Sequence, residues 1–175
     1  PWSLRSTAQK RNIALGIISG NRLHTTTPLG KIALPSEVDT LHLSSSMILN
    51  SADILSQLVE IPSVNPMGRP LSGTEFLETR LSDFLESLFK RLGLQTWRQT
   101  VHPDRDNVIA KLDGDVDTTV LLEVHQDTVP TDGMTIAPFA ATRSDGRLYG
   151  RGACDVKGGM AAMLTALSQL AAQQP

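Results

Sequence analysis

The 175-residue sequence predicts an α/β fold in which helices flank a mainly parallel or mixed sheet. Three observations carry this reading. An apolar stripe at helical spacing runs from Phe76 to Leu92, and two stretches of strand character follow at 94–101 and 107–112. The β-branched run Val120 to Val124 has the length of a buried strand, and a helix-like run from Lys157 to Ala172 comes after it. The expected order is helix, helix, strand, strand, strand, helix.

Each element has its own cause. From Ser51, the residues Ile54, Leu55, Leu58 and Val59 recur at helical spacing until Pro62 and Pro66 stop the helix. Ser72-x-x-Glu75 has the form of a capping box ahead of Phe76, Leu77, Leu81, Phe84, Leu85, Leu88, Phe89 and Leu92, and Gly93 closes that helix. Alternation over 94–101 predicts a half-exposed strand, Asn107 to Leu112 a second, and Asp113-Gly114 a turn before the third. The loop from 125 to 150 is long enough to be functional, and its Asp145-Gly146 turn precedes a short strand-like Arg147-Leu148-Tyr149.

Residues 1–46 carry five basic side chains against two acidic ones, many Ser and Thr, and no sustained periodicity. They are expected to form an unstructured or non-native extension, with a weak compositional likeness to an organellar transit peptide. The organised domain is expected over 47–175. Because the sequence begins at Pro1 and ends at Pro175, just after one helix of a new βα unit, it is expected to be a fragment.

Composition narrows the function. An apolar content of 40% supports a core, while a net charge of −2 without a Lys/Arg cluster argues against nucleic acid as a partner. No apolar run approaches the ~20 residues of a membrane span, so no membrane partner is expected. The single cysteine, Cys154, rules out an internal disulfide framework and agrees with a cytoplasmic location.

The chemistry concentrates in two stretches. Leu121-Leu122-Glu123-Val124-His125-Gln126-Asp127-Thr128-Val129-Pro130 places a His-x-Asp pair where a strand stops, the edge at which open α/β sheets bind ligands. Thirty positions after His125, the turn Gly150-Arg151-Gly152-Ala153-Cys154-Asp155-Val156-Lys157-Gly158-Gly159 offers a carboxylate where backbone can approach a bound group. Imidazole nitrogen and carboxylate oxygen suit Zn²⁺ or a similar ion at about 2.0–2.2 Å, and a carboxylate can bridge two ions. His125 and Asp155 are therefore candidate metal ligands. On an extended chain Asp127 shares a face with His125 and is placed to orient it.

Together these motifs, preceded by Leu58-Val59-Glu60-Ile61-Pro62-Ser63-Val64-Asn65-Pro66, resemble the co-catalytic zinc amidohydrolase and peptidase superfamily, whose members include acetylornithine deacetylase, succinyl-diaminopimelate desuccinylase, aminoacylase and a glutamate carboxypeptidase. The resemblance runs from about Met47 to Pro175. It implies that His125 binds one zinc, that Asp155 is shared by two, and that Asp127 is the acidic residue counted as catalytic because it orients the site. Co²⁺ is an alternative to Zn²⁺. It further implies a small N-acyl amino acid or peptide substrate and, for the parent enzyme, a possible homodimer. The family's Glu-Glu pair, whose first member is the general base, and its remaining acidic and histidine ligands have no counterpart here. The fragment is accordingly expected to be inactive.

Taken singly, His125 reads as a histidine satisfied by a backbone carbonyl, Asp155 as a helix cap and Asp127 as a loop acid; their pairing in order favours the site. Cys154 reads as a small packed side chain. His24, His42 and His102 read as solvated, and so do Asp104, Asp106 and the acids of 113–117. Two rival functions remain open. A nucleotide-binding module is disfavoured because Gly150-Arg151-Gly152 lacks the third glycine of the dinucleotide fingerprint and Lys157 precedes Gly rather than Ser or Thr. A non-catalytic relative is separated from an enzyme by whether a Glu-Glu pair and a distal His follow.

Overall fold

The computed structural model describes residues 11–18 and 47–173. In chain order these form β1 (Arg11–Ile18), α1 (Ser51–Glu60), α2 (Thr79–Arg91), β2 (Gln95–His102), β3 (Arg105–Leu112), β4 (Val116–His125), β5 (Thr142–Ser144), β6 (Arg147–Tyr149) and α3 (Gly158–Ala171).

The fold is mixed α/β, with a four-stranded sheet in the order β2-β3-β1-β4. β1 is antiparallel to β3 and parallel to β4, and β2 is antiparallel to β3. The strand β1 corrects one expectation: Arg11–Ile18 is not an unstructured extension but an interior strand of the sheet. Its Ile13-Ala14-Leu15-Gly16-Ile17 run alternates branched apolar with small residues, a pattern the surrounding polar composition hid. The rest of 1–46, including His24 and His42, lies outside the described residues. β1 also separates β3 from β4, so the Asp113-Gly114 segment joins strands that are not neighbours.

Register decides which side chains reach the core. Ile17 lies between Val108 and Val124, and Leu15 between Ala110 and Leu122, so these rows share one face. That face joins Ile54 and Leu58 of α1, Leu81, Leu85, Leu88 and Phe89 of α2, and Met160, Leu164 and Leu167 of α3 in one hydrophobic cluster. β4 is not the buried strand its composition predicts. It is an edge strand whose Val120 and Leu121 are exposed, and only Val124 is buried. The periodicity marked a strand, but a continuous apolar run cannot tell an interior strand from an edge.

Asn50 caps α1, its Oδ1 accepting from the backbone N–H groups of Ala52 and Asp53. α2 starts at Thr79, later than the Ser72-x-x-Glu75 pattern predicts. Leu77 adopts φ 62° and the Leu77 N–H donates to Val64 O, so this stretch pairs with the segment after α1 instead of coiling. The β5–β6 hairpin turns through Asp145 and Gly146, both at positive φ, as a tight hairpin loop requires.

Leu85 is fully buried at the centre of α2. L85A is expected to lower unfolding stability by about 3 kcal/mol, measured by urea denaturation.

Candidate metal-binding site

The site forms where β4 ends. His125 is the last residue of β4, and side chains alternate from there. Gln126 turns inward, fully buried, donating from Nε2 to Asp106 O at 2.6 Å and accepting on Oε1 from Ser82 Oγ at 3.2 Å. His125 and Asp127 consequently point the other way. The segment after α1 fixes this geometry from the side: Ser63 Oγ donates to Gln126 O at 2.6 Å, Thr128 N to Ser63 O at 2.9 Å, and Asn65 N to Thr128 O at 2.8 Å.

The glycine-rich turn arrives from below. Gly152, at φ 80°, sits so close that an added Cβ would lie 2.6 Å from Thr128 Cγ2, and one at Gly150 would collide with Val59. These two glycines are needed for backbone approach, as the sequence indicates. Past them, Lys157 turns into the core with 1% of its surface exposed and donates from Nζ to Leu58 O at 2.8 Å and Ile61 O at 2.7 Å. These are carbonyls at the end of α1, which the helix leaves without partners. Burial lowers the Lys157 pKa from 10.5 to about 7.

The three predicted site residues come together. His125 Nε2 lies 3.2 Å from Asp155 Oδ1, and His125 Nδ1 lies 3.0 Å from Asp127 O and 3.2 Å from Asp127 Oδ1. Asp127 is mostly covered, with 15% of its side chain exposed, whereas Asp155 reaches into solvent at 85%. Asp127 Oδ2 accepts from Asn65 Nδ2 at 2.9 Å. All of them line a cleft of about 260 Å³ together with Thr128, Arg151 and Cys154.

This donor set fits a divalent ion. Two ligands bound to one tetrahedral ion at ~2.0–2.2 Å stand about 3.3–3.5 Å apart, close to the observed His125–Asp155 separation. With Nδ1 facing acceptors, Nε2 is left free to coordinate, the arrangement in which the outer partner fixes the tautomer. Thr128 Oγ1 and Arg151 Nε, both buried in side chains that line the cleft, have no hydrogen-bond partner among the described residues. Among those residues no group of three or more His, Cys, Asp or Glu side chains is placed to hold a metal, so the pair forms only part of a coordination shell. Cys154 is exposed rather than packed beneath the loop.

Other sequence readings meet mixed outcomes. His102 is exposed, as expected, but Asp106 pairs with Arg98 at 3.4 Å and Asp113 with Lys111 at 2.6 Å, so neither is merely solvated. Sequence reasoning missed Asn65, Lys157 and the inward anchor Gln126. Asn65 and Lys157 lie inside motifs already singled out, but no spacing rule shows that they contact other elements.

A family model described as "Peptidase family M20/M25/M40" matches residues 121–175, the segment that contains all three site residues. Over that segment the chain is similar to this family. Its relatives include a succinyl-diaminopimelate desuccinylase of Beijerinckia indica, 36% identical over 121 residues that cover 65% of this chain and 29% of that protein. Another desuccinylase, from Methylorubrum extorquens, is 38% identical over 62% of this chain and 27% of its own length. A third, from Parvibaculum lavamentivorans, is 34% identical over 67% of this chain and 29% of its own length. The chain thus spans less than a third of these curated relatives. The matched family is named for peptidases and the relatives for desuccinylation. Among the described residues no helix is long and apolar enough to cross a membrane.

Two outcomes follow from the turn. Below about pH 10 the unfolded chain protonates Lys157 while the folded amine stays neutral down to about 7, so its lowered pKa makes stability decline as pH falls across that window and level off below it. Urea denaturation across the window is expected to show this slope, and K157M is expected to abolish it while costing about 1–3 kcal/mol near pH 9 through two orphaned carbonyls. G152A is expected to cost about 2 kcal/mol, because it adds a clash to a left-handed conformation.

Proposed function

We propose that this chain carries part of a two-metal amide-hydrolysing site. His125 is a ligand of one ion, Asp155 a ligand placed to bridge two, and Asp127 the residue that orients the imidazole. The observation that carries the reading is the convergence of His125 Nε2 and Asp155 Oδ1 at 3.2 Å from a strand end and a turn thirty residues apart. Zn²⁺ is the proposed metal, with Co²⁺ able to replace it on the same nitrogen and oxygen donors.

When bound, a divalent ion there supplies positive charge that polarises an amide carbonyl and acidifies water toward a pKa of ~7. The protein's part is to present a neutral imidazole with Nδ1–H held by Asp127, to keep a solvent-facing carboxylate on the cleft, and to shape the cavity. Because the relatives bear the name succinyl-diaminopimelate desuccinylase, the proposed substrate of the whole enzyme is an N-acylated amino acid, with an acetylornithine-type deacylation or short-peptide cleavage as neighbouring possibilities. A cytoplasmic, homodimeric parent completes this reading.

No Asp, Glu or His follows Asp155 in these 175 residues. We propose that the general base and further ligands correspond to the unmatched part of the relatives, and this polypeptide alone is expected to leave N-succinyl and N-acetyl amino acids uncleaved. Isothermal titration with Co²⁺ tests the site itself: weak binding is expected for the chain, with H125A and D155A each reducing it at least tenfold. Tight binding of NAD or ATP instead would favour the nucleotide-binding alternative.

A further inference from the structure

The geometry points to Arg105, anchored by Glu78, as a positioning residue that fixes the rotamer of Asp127 and through it the metal-facing imidazole of His125. The metal part of this inference rests on the function proposed above. The positioning part stands on contacts alone.

Glu78 occupies the N-cap position of α2, yet its side chain makes no capping hydrogen bond. It is fully buried, and its carboxylate is given to Arg105, the first residue of β3: Arg105 Nε donates to Glu78 Oε2 at 2.9 Å and Arg105 Nη2 to Glu78 Oε1 at 2.6 Å. A two-point fork of this kind holds the guanidinium plane in one orientation, which a single charge–charge contact does not. Burial raises the Glu78 pKa, Arg105 opposes that rise, and the nearby Asp127 charge adds to it, so the pair carries a desolvation cost that helix capping does not explain.

The held guanidinium has a second neighbour. Arg105 Nη2 lies 3.9 Å from Asp127 Oδ2, the same oxygen that accepts from Asn65 Nδ2 at 2.9 Å. Positive charge and a donor thus converge on Oδ2, which leaves Oδ1 for His125 Nδ1 at 3.2 Å. Each carboxylate oxygen has its own partner, and rotation about the Asp127 Cα–Cβ bond would carry both oxygens away from Arg105, Asn65 and the imidazole together. Four elements supply this chain of contacts: the start of α2, the start of β3, the segment after α1 and the end of β4.

The test uses the full 175-residue chain. E78M/R105M removes both buried charges for apolar volume, a change that often leaves stability intact. R105K keeps a cation beside Glu78 but cannot hold it at two points while reaching Asp127. Three-bond couplings across the Asp127 Cα–Cβ bond, measured without metal, report the rotamer, and thermal melting reports the fold. The expected result is a single Asp127 rotamer in wild type, averaged couplings in both variants with melting retained, and Co²⁺ affinity about tenfold weaker. Folded variants with wild-type couplings and wild-type Co²⁺ affinity overturn the inference. If E78M/R105M fails to fold, R105K decides alone by the same couplings. Averaged couplings alongside a wild type that binds no Co²⁺ would count against the metal reading while supporting the positioning role.

Discussion

The buried amine of Lys157 is the contact on which the site's geometry depends. By closing the carbonyl end of α1 it secures the glycine-rich turn, and with it Asp155, to the segment that leads into Ser63 and Asn65. That segment in turn hydrogen-bonds the backbone around Gln126 and Thr128, so both halves of the cleft are referred to the same helix end. Burying a lysine is a costly means of making such a joint, because its charged form is disfavoured there. Its advantage is reach: one Nζ satisfies two carbonyls at once, and the alkyl stem packs beside Gly152, where a larger residue would not fit.

From this joint the chemistry follows by alternation. A strand that buries Gln126 must turn His125 and Asp127 to the opposite side together, and the turn beyond Gly152 must bring Asp155 up to the imidazole. Polar groups on the buried side hold the exposed ones still. Gln126 and Ser82 do so beneath the strand, and Asn65 beside it. Under the proposed function, side chains held this way need little reorganisation to accept an ion, which is how outer contacts contribute to metal affinity.

The sequence made much of this legible, and its failures have physical reasons. Helical spacing located α1, α2 and α3, and motif order singled out His125, Asp127 and Asp155, whose side chains the fold brings together, because periodicity and short-range spacing are local properties. β1 was missed since five residues of alternating bulk lie in a 46-residue stretch without sustained periodicity, and only pairing with β3 and β4 gives them a purpose. β4 was read as buried because an edge strand and an interior strand share the same apolar composition. The early start assigned to α2 failed where Leu77 pairs with Val64, a contact between distant segments that a capping pattern does not register. Lys157 and Asn65 were visible as letters but not as partners.

The central claim is that His125 presents Nε2, with Nδ1 protonated, to an ion shared with Asp155. The most direct measurement follows the two imidazole nitrogens of His125 by ¹⁵N NMR as Zn²⁺ is added to the ¹⁵N-labelled chain. The account predicts that Nε2 shifts on binding while Nδ1 keeps its proton, and that D155N largely removes the shift. A shift at Nδ1, or an Nε2 resonance unmoved by saturating Zn²⁺, would contradict it.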